Sequence, residues 1–477
     1  MRSWTAEFLL DRFLFLFSVC IAIASICVPF VYEKIQPGWT GIGVLIWFLL
    51  IVLGKQCMKK EESSRNRILH MGMLVHCVLM VGIVCTVHLR PVVDLKDPIC
   101  QIEEMIQENT REITQSHFSV YPNNIPLTIL LYRIYSLVRS VFGTSVSLEQ
   151  TGGLLNVLMI ETTIICLFRL IDCADRTPVS GWAVKWIVLL NPAWIAYAAY
   201  YYTDTVSLPF AAAGLLVFVY GLQEEQTGKR MALWLLSGLL LGTAMKIRVT
   251  SLLLILSILI ALLYRKRFKE FRTVCLLFAL ALGTVHAAYS IVEDSYVTMD
   301  TYDTAVPATH FLMMGSHGNG KYDREDFQFT TSFSTHEEKV QQTWNAYLNN
   351  LRHNGIKGNI ILVIKKEVIV WCNGTHGYEL YTSRAVKESW LYHLLYGNHS
   401  AWFKGLMQGY RILLFAGIAY GLWKYRRGMD DLFLLCMVYW CSTIMFSAVW
   451  EAHTRHSLSY IPFLTLLCLP AFQKNNV

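Results

Sequence analysis

Charge is scarce in this chain. Asp, Glu, Lys and Arg make up only 16% of its 477 residues, against 54% hydrophobic. That balance excludes an ordinary soluble domain and fits a polytopic membrane protein, the class expected to be all-α. Metal-type cysteine spacing is missing as well. Of the thirteen cysteines, none forms a CxxC or Cys/His zinc pattern. Most, among them Cys20, Cys27, Cys77, Cys85, Cys166, Cys275, Cys436, Cys441 and Cys468, lie inside apolar segments, where a thiol behaves as a small hydrophobe. Cys100 and Cys372 fall in segments expected outside the membrane, which leaves room for one disulfide. No internal repeat of about 20 to 50 residues marks a solenoid. The first apolar run lacks a small-residue cleavage site and reads as a retained anchor. The net charge of +7 is no nucleic-acid signal, because the basic residues cluster in short loops.

What the chain does have is apolar runs long enough to cross about 30 Å of hydrocarbon. Twelve spans are expected, at 13–32, 38–54, 69–88, 152–171, 182–202, 204–221, 231–247, 249–264, 273–292, 405–424, 432–450 and 455–471. The basic loops "GKQCMKKEESSRNR" (54–67), "YRKRFKEFR" (264–272) and "KYRRG" (424–428) should face the cytoplasm. This threading puts both termini inside and the two longest loops, 89–151 and 293–404, outside. It divides the chain into an N-terminal pair of spans (1–68), a core (69–292), a large outer loop (293–404) and a C-terminal set of three spans (405–477). Two segments are ambiguous between spanning and lying on the surface. Arg133 and Arg139 interrupt 121–143, and Lys365, Lys366 and Glu367 interrupt 359–372. Both are read as interfacial helices.

The candidate chemistry collects at the outer ends of spans. "RPVVDLKDP" (90–98) places Asp94 and Asp97 just past a span, between Pro91 and Pro98, which restrict φ on either side. A carboxylate near a low-dielectric boundary can serve as a base for a hydroxyl. Asp97 precedes a proline and reads better as a helix cap. Asp94 stands open between base and loop acid. Asp204 begins a span at its outer end and is either a cap or a second site acid. Lys246 and Arg248, in "TAMKIRVTS", sit where the positive-inside tendency disfavours them. They fit a phosphate group, or a lipid headgroup reached by snorkelling. "WEAHTRHSLSYIPF" (450–463) crowds Glu451, His453, Arg455 and His456 together. A Glu451–Arg455 pair across one helical turn is the plain alternative there. Metal binding at this HxxH is not indicated, because carboxylates are too few. His310 opens a glycine-bearing stretch, 307–327, that is either an anion-contacting loop or a flexible one. Glu161, within an apolar span, stands apart from all of this.

These residues resemble a family. The first outer loop with Asp94, then Tyr121 in "YPNNIPL" opening a surface helix, resembles the membrane-embedded GT-C glycosyltransferases. Protein O-mannosyltransferases and lipid A aminoarabinose transferases are examples. "LLNPAWIAYAAYYYTDTVSLPF" (189–210) is similar to their span pair, and "EAHTRHSLSYIPF" to their late arginine-bearing entry into a last span. The acidic loop follows the third span here, where that family usually has it after the first. The resemblance implies an enzyme, a hexosyl- or pentosyltransferase of the cell envelope. It would take a sugar from a polyprenyl-phosphate donor and pass it, with inversion, to a hydroxyl of a glycan, lipid or protein. Asp94 would be the base, and Lys246, Arg248 and Arg455 would hold the donor phosphate. Asp97, Tyr121, Asp204, His310, Glu451, His453 and His456 would support or contact substrate. No cofactor, metal or nucleic acid is implied. The setting would be a bacterial plasma membrane with an outward site, or the ER membrane in a eukaryotic host. Two rivals remain. One is a polysaccharide polymerase or ligase acting on a polyprenyl-diphosphate glycan. The other is a lipid or solute transporter, for which polar groups should lie at mid-span.

Overall fold

The computed structural model describes residues 6–32, 34–143, 145–174, 178–424 and 430–473. The chain is helical almost throughout, with one pair of very short strands. Among the described residues, ten helices are long and apolar enough to cross a membrane. They are Leu9–Val31, Pro37–Cys57, Glu62–Thr86, Pro122–Phe142, Leu148–Ala174, Val179–Ala196, Thr203–Gln223, Thr227–Ile247, Phe268–Glu293 and Asp431–Val449. Val249–Tyr264 and His456–Phe472 are shorter apolar helices, and Ala401–Lys424 is a long helix that carries Arg411 inside it. Each expected span therefore meets a helix. The basic stretch 424–428 lies, beyond Lys424, outside the described residues.

Helices close on one another where glycine permits. The helices Pro37–Cys57 and Ala401–Lys424 meet so tightly that a Cβ on Gly43 would lie 2.4 Å from the Gly405 carbonyl oxygen. Close backbone approach of this kind drives helix association in lipid, where no hydrophobic force separates helix from solvent. Gln408 then bonds across to the Ser25 carbonyl at 2.7 Å and the Cys372 carbonyl at 2.9 Å. Cys372 is thus packed in the bundle with its Sγ toward the Ile21 carbonyl, and both it and Cys100 are free thiols. The disulfide that the sequence left room for does not form, because Cys372 is turned into the core.

The expected span 182–202 is not one rod. Asn191 caps a new turn, its side chain accepting from the Ala193 amide at 3.1 Å, with Pro192 next in place. After Pro192–Ala196 the backbone leaves the helix. Its freed carbonyls at Tyr197 and Ala198 are taken up by Asn156 at 2.8 and 3.1 Å. Buried backbone outside a helix needs such partners at membrane depth. This break delivers Tyr202 and Asp204 to the loop end of the bundle.

The two ambiguous segments are helical. Ile125–Phe142 qualifies as a span by length and composition, and its Arg133 lies 5.3 Å from the centre of the Tyr296 ring. Residues 359–372 end the long helix His336–Trp371, which kinks at Gly355 with φ of +60°. Lys366 and Glu367 point into protein instead of lying along a surface. Lys366 donates to the carbonyls of Gly315 and Ala448, both at 2.8 Å. Glu367 accepts from Trp371 and Ser447, both at 2.8 Å. Glu161 has a partner too: it meets His76 of a neighbouring helix at 2.7 Å.

Candidate functional site

Four charged side chains form one continuous row at the loop end. Asp94 Oδ2 accepts from Arg455 Nη2 at 2.6 Å. Arg455 Nε lies 2.9 Å from Asp204 Oδ2, and Arg248 Nη1 lies 2.8 Å from Asp204 Oδ1. Asp204 is sealed, with 2% of its side chain exposed, whereas Asp94 keeps 36% of its own. The aromatic rings of Tyr202 and Tyr381 sandwich the Arg455 guanidinium, at 4.8 and 4.4 Å from their centres. Such faces hold a cation and shut out water.

Local backbone explains how each group arrives. Val93 adopts φ of +53°, a conformation that a β-branched residue rarely takes. This strained step turns the chain into the short 3₁₀ turn Val93–Leu95 and presents Asp94. The strand pair His88–Leu89 with Ala385–Lys387 ties that loop to the segment bearing Tyr381. Arg248 follows the helix Thr227–Ile247 in extended conformation, φ −147° and ψ 109°. Arg455 stands just before the helix His456–Leu464.

A second ring of polar groups braces the row. Tyr202 donates to Asn124 Oδ1 at 2.5 Å, and Asn124 Nδ2 donates to His117 Nε2 at 3.0 Å. His117 Nδ1 then meets Asp97 at 3.2 Å. Because Nε2 accepts, the proton of a neutral His117 sits on Nδ1, facing Asp97. Burial lowers the His117 pKa, against the pull of Asp97 and Asp94. His453 is fixed in the same way. Its Nδ1 accepts from the Arg455 amide at 3.1 Å, and its Nε2 meets the Tyr381 hydroxyl at 2.9 Å. Burial, and then the Arg455 charge, push His453 down to about 3, so it is neutral. For Asp94 burial works upward, but the charge and hydrogen bond of Arg455 outweigh it and hold the carboxyl below its ordinary value.

Four expected arrangements are corrected. Asp97 does not cap the next helix: Lys96–Gln107 begins two residues earlier than such a cap requires, with Leu95 at the cap, and Asp97 pairs with His117 instead. Glu451 and Arg455 form no helical pair, because 451–453 are not helical and Arg455 reaches Asp94 and Asp204. Lys246 leaves the arginines. It is the last-turn lysine of Thr227–Ile247, and its ammonium lies 4.7 Å from the centre of the Tyr289 ring. Asp204 is not the cap residue of its own short helix, Thr203–Val206, where Tyr202 takes that position.

The remaining candidates lie around the row. Tyr121 packs on His117 and stacks on Phe327, within electrostatic reach of Glu451 and Asp94. His456 is packed near His453 and Phe446. His310 bonds Thr330 at 2.7 Å inside the 307–331 segment, where burial pushes it to about 4. The structure brings in His117, Asn124, Tyr202, Tyr381 and Lys366, none of which carries a motif of its own. Asn124, Tyr202 and Lys366 do fall inside stretches that the sequence marks out.

Two donors in the row are left over. Arg455 Nη1 and Arg248 Nε are buried and have no hydrogen-bond partner among the described residues. Buried N–H groups of arginine without partners are costly. They suit an anion of planar or tetrahedral oxygens, phosphate above all. A family model described as "Conserved hypothetical integral membrane protein" matches residues 3–475. The chain belongs to that family. As a member of it, the chain is a multi-pass integral membrane protein, in keeping with the ten apolar helices among the described residues. No curated protein and no solved structure matches it.

Proposed function

We propose that this protein is a membrane-embedded glycosyltransferase of GT-C type. In this reading it moves a sugar from a polyprenyl-phosphate donor to an acceptor hydroxyl on the extracytoplasmic face. The observation that carries the reading is the pair of unpartnered arginine N–H groups beside a half-open aspartate. The phosphate of the donor would accept from Arg455 Nη1 and Arg248 Nε. As the bond from sugar to phosphate breaks, negative charge grows on that phosphate, and fixed cations stabilise it most where water is excluded. Asp94 has Oδ2 on Arg455 and keeps 36% of its side chain exposed, so its other oxygen would take the proton of the incoming hydroxyl. The strained Val93 and the brace from Asp97 to Tyr202 hold that geometry before substrate arrives. Lys246 takes no part. The charged row lies at the loop end of the bundle, which favours an enzyme working at the headgroup level over a transporter, and Glu161, inside a span, is paired with His76.

The test uses purified protein in lipid nanodiscs with radiolabelled polyprenyl-phosphate sugars and, separately, a polyprenyl-diphosphate glycan. Transfer from the monophosphate donors, lost in Asp94→Asn with donor binding retained, supports the reading. Transfer from the diphosphate glycan alone replaces it with a polymerase or ligase. The orientation is checked by labelling cysteines introduced at 110 and 60, which should react from opposite sides.

A further inference from the structure

Three carboxylates reach the arginine row, and two of them are already paired. Asp94 and Asp204 are each within 3 Å of an arginine nitrogen. The third, Glu451, forms no ion pair or hydrogen bond among the described residues, although Arg455 and Arg248 act on it electrostatically. Its place is nevertheless fixed. On one side Trp450 stacks on Phe311 at 5.2 Å, and Gly315 packs so close to the Trp450 carbonyl that a Cβ would lie 2.7 Å from it. On the other side the Ala452 amide donates to the Gly320 carbonyl at 2.6 Å. Gly320 takes φ of +70° to offer that carbonyl. Lys366 clamps both partners by bonding Gly315 and Ala448. The backbone on either side of Glu451 is fixed, while its carboxylate, within electrostatic reach of two arginines, is bonded to neither and is free for a group that comes and goes.

We propose that Glu451 is the acid of the transfer, giving its proton to the phosphate oxygen that leaves the sugar while Asp94 takes the proton of the acceptor. This assignment rests on the glycosyltransferase reading. In the balanced step the bond from the sugar's anomeric carbon to the phosphate oxygen breaks, and its electron pair stays on that oxygen. The acceptor oxygen bonds the same carbon. Asp94 gains the acceptor's proton, Glu451 yields its own, and water returns a proton from Asp94 to Glu451 between turnovers. No further reactant is needed. The groups facing Glu451 are Asp94, Arg455, Arg248 and Lys366, with Tyr121 and Tyr381 close by. Burial first, then Asp94, raises the Glu451 pKa to about 7 against the pull of the cations. Asp94 is held ionised by Arg455. Two carboxylates pushed apart in this way divide into acid and base. The match with the leaving group is close, since the dianion of a phosphate monoester takes up a proton at about 6.

Infrared difference spectra of the protein in nanodiscs test the proton directly, with dodecyl phosphate as the probe. A protonated carboxyl band should be present at about pH 6 and titrate away near 7. It should be absent in Glu451→Gln. Dodecyl phosphate should move the midpoint up by about one unit, as a second negative charge in the same site requires. A band that is missing, or a midpoint that the probe leaves in place, overturns the assignment. In the turnover assay the wild-type rate should fall as pH rises through about 7. Glu451→Gln should lose that fall and about two orders of magnitude in rate. Glu451→Asp should restore rate with the fall displaced. If Asp94→Asn is inactive while Glu451→Gln keeps full rate and the same pH profile, this assignment fails and the glycosyltransferase reading stands. A wild type inert toward every donor overturns both.

Discussion

Replacing Asp204 by asparagine removes one negative charge that two arginines share. The side chain is 2% exposed, and its oxygens lie 2.8 and 2.9 Å from Arg248 and Arg455. Asparagine keeps one acceptor oxygen but turns an NH2 group toward the other guanidinium. Breaking a buried pair by removing one partner costs about 3–5 kcal/mol, because the remaining charge is stranded out of water. Asp94→Asn is a useful contrast. That carboxyl is more than a third exposed, and Arg455 keeps Asp204, so its loss should cost about 1 kcal/mol or less. Thermal unfolding followed by size exclusion in one detergent ranks them: wild type, then Asp94→Asn close behind, then Asp204→Asn far below. The double variant Asp204→Asn with Arg248→Met removes one stranded cation. It should recover part of the loss, through a coupling of about 0.5–3 kcal/mol. An Asp204→Asn midpoint equal to wild type would refute the view that the row is held by buried charge. So would a double variant whose loss equals the sum of the two single ones.

Three further outcomes are expected. Asp94→Asn should lower turnover by about two to four orders of magnitude, while Asp97→Asn, which loses only a half-exposed pair with His117, should change stability by about 0.2–1 kcal/mol and turnover little. Gly43→Ala should destabilise by about 1–3 kcal/mol through overpacking against Gly405, measured by the same unfolding assay, whereas Gly41→Ala, with open space around it, should be neutral. Asp94 has its pKa lowered in the fold, so its pairing with Arg455 contributes fully above the unfolded value of about 3.9. That contribution is lost as pH falls through the folded value, and acid unfolding of Asp94→Asn should be shallower there.

The apolar runs announced the helices because length and hydropathy are local properties of the chain. The pairing of charges is not local. Asp94 and Arg455 are 361 positions apart, and no spacing rule connects them. Local rules also misled where the backbone departs from a helix. Lys246 and Arg248 look like one basic patch, but the first is helical and the second extended, so their side chains part company. Glu451 and Arg455 look like helical neighbours, but the chain between them is a loop. Asp97 looked like a cap because Pro98 suggested a helix start, yet the turn at Val93 begins the helix earlier. His117, Tyr202 and Tyr381 matter through what surrounds them, which only the packed bundle reveals.

The charged row also sets an order of assembly. Asp94, Asp204 and Arg248 leave the ribosome long before Arg455. Until the segment around 455 folds back, Asp94 lacks its cation and Asp204 holds only Arg248. Tyr202 and Tyr381 lack the cation they share. The site therefore closes last, when the segment carrying Arg455 docks. A chain arrested before that residue would lack its last apolar helix and leave Asp94 without its arginine at the loop end.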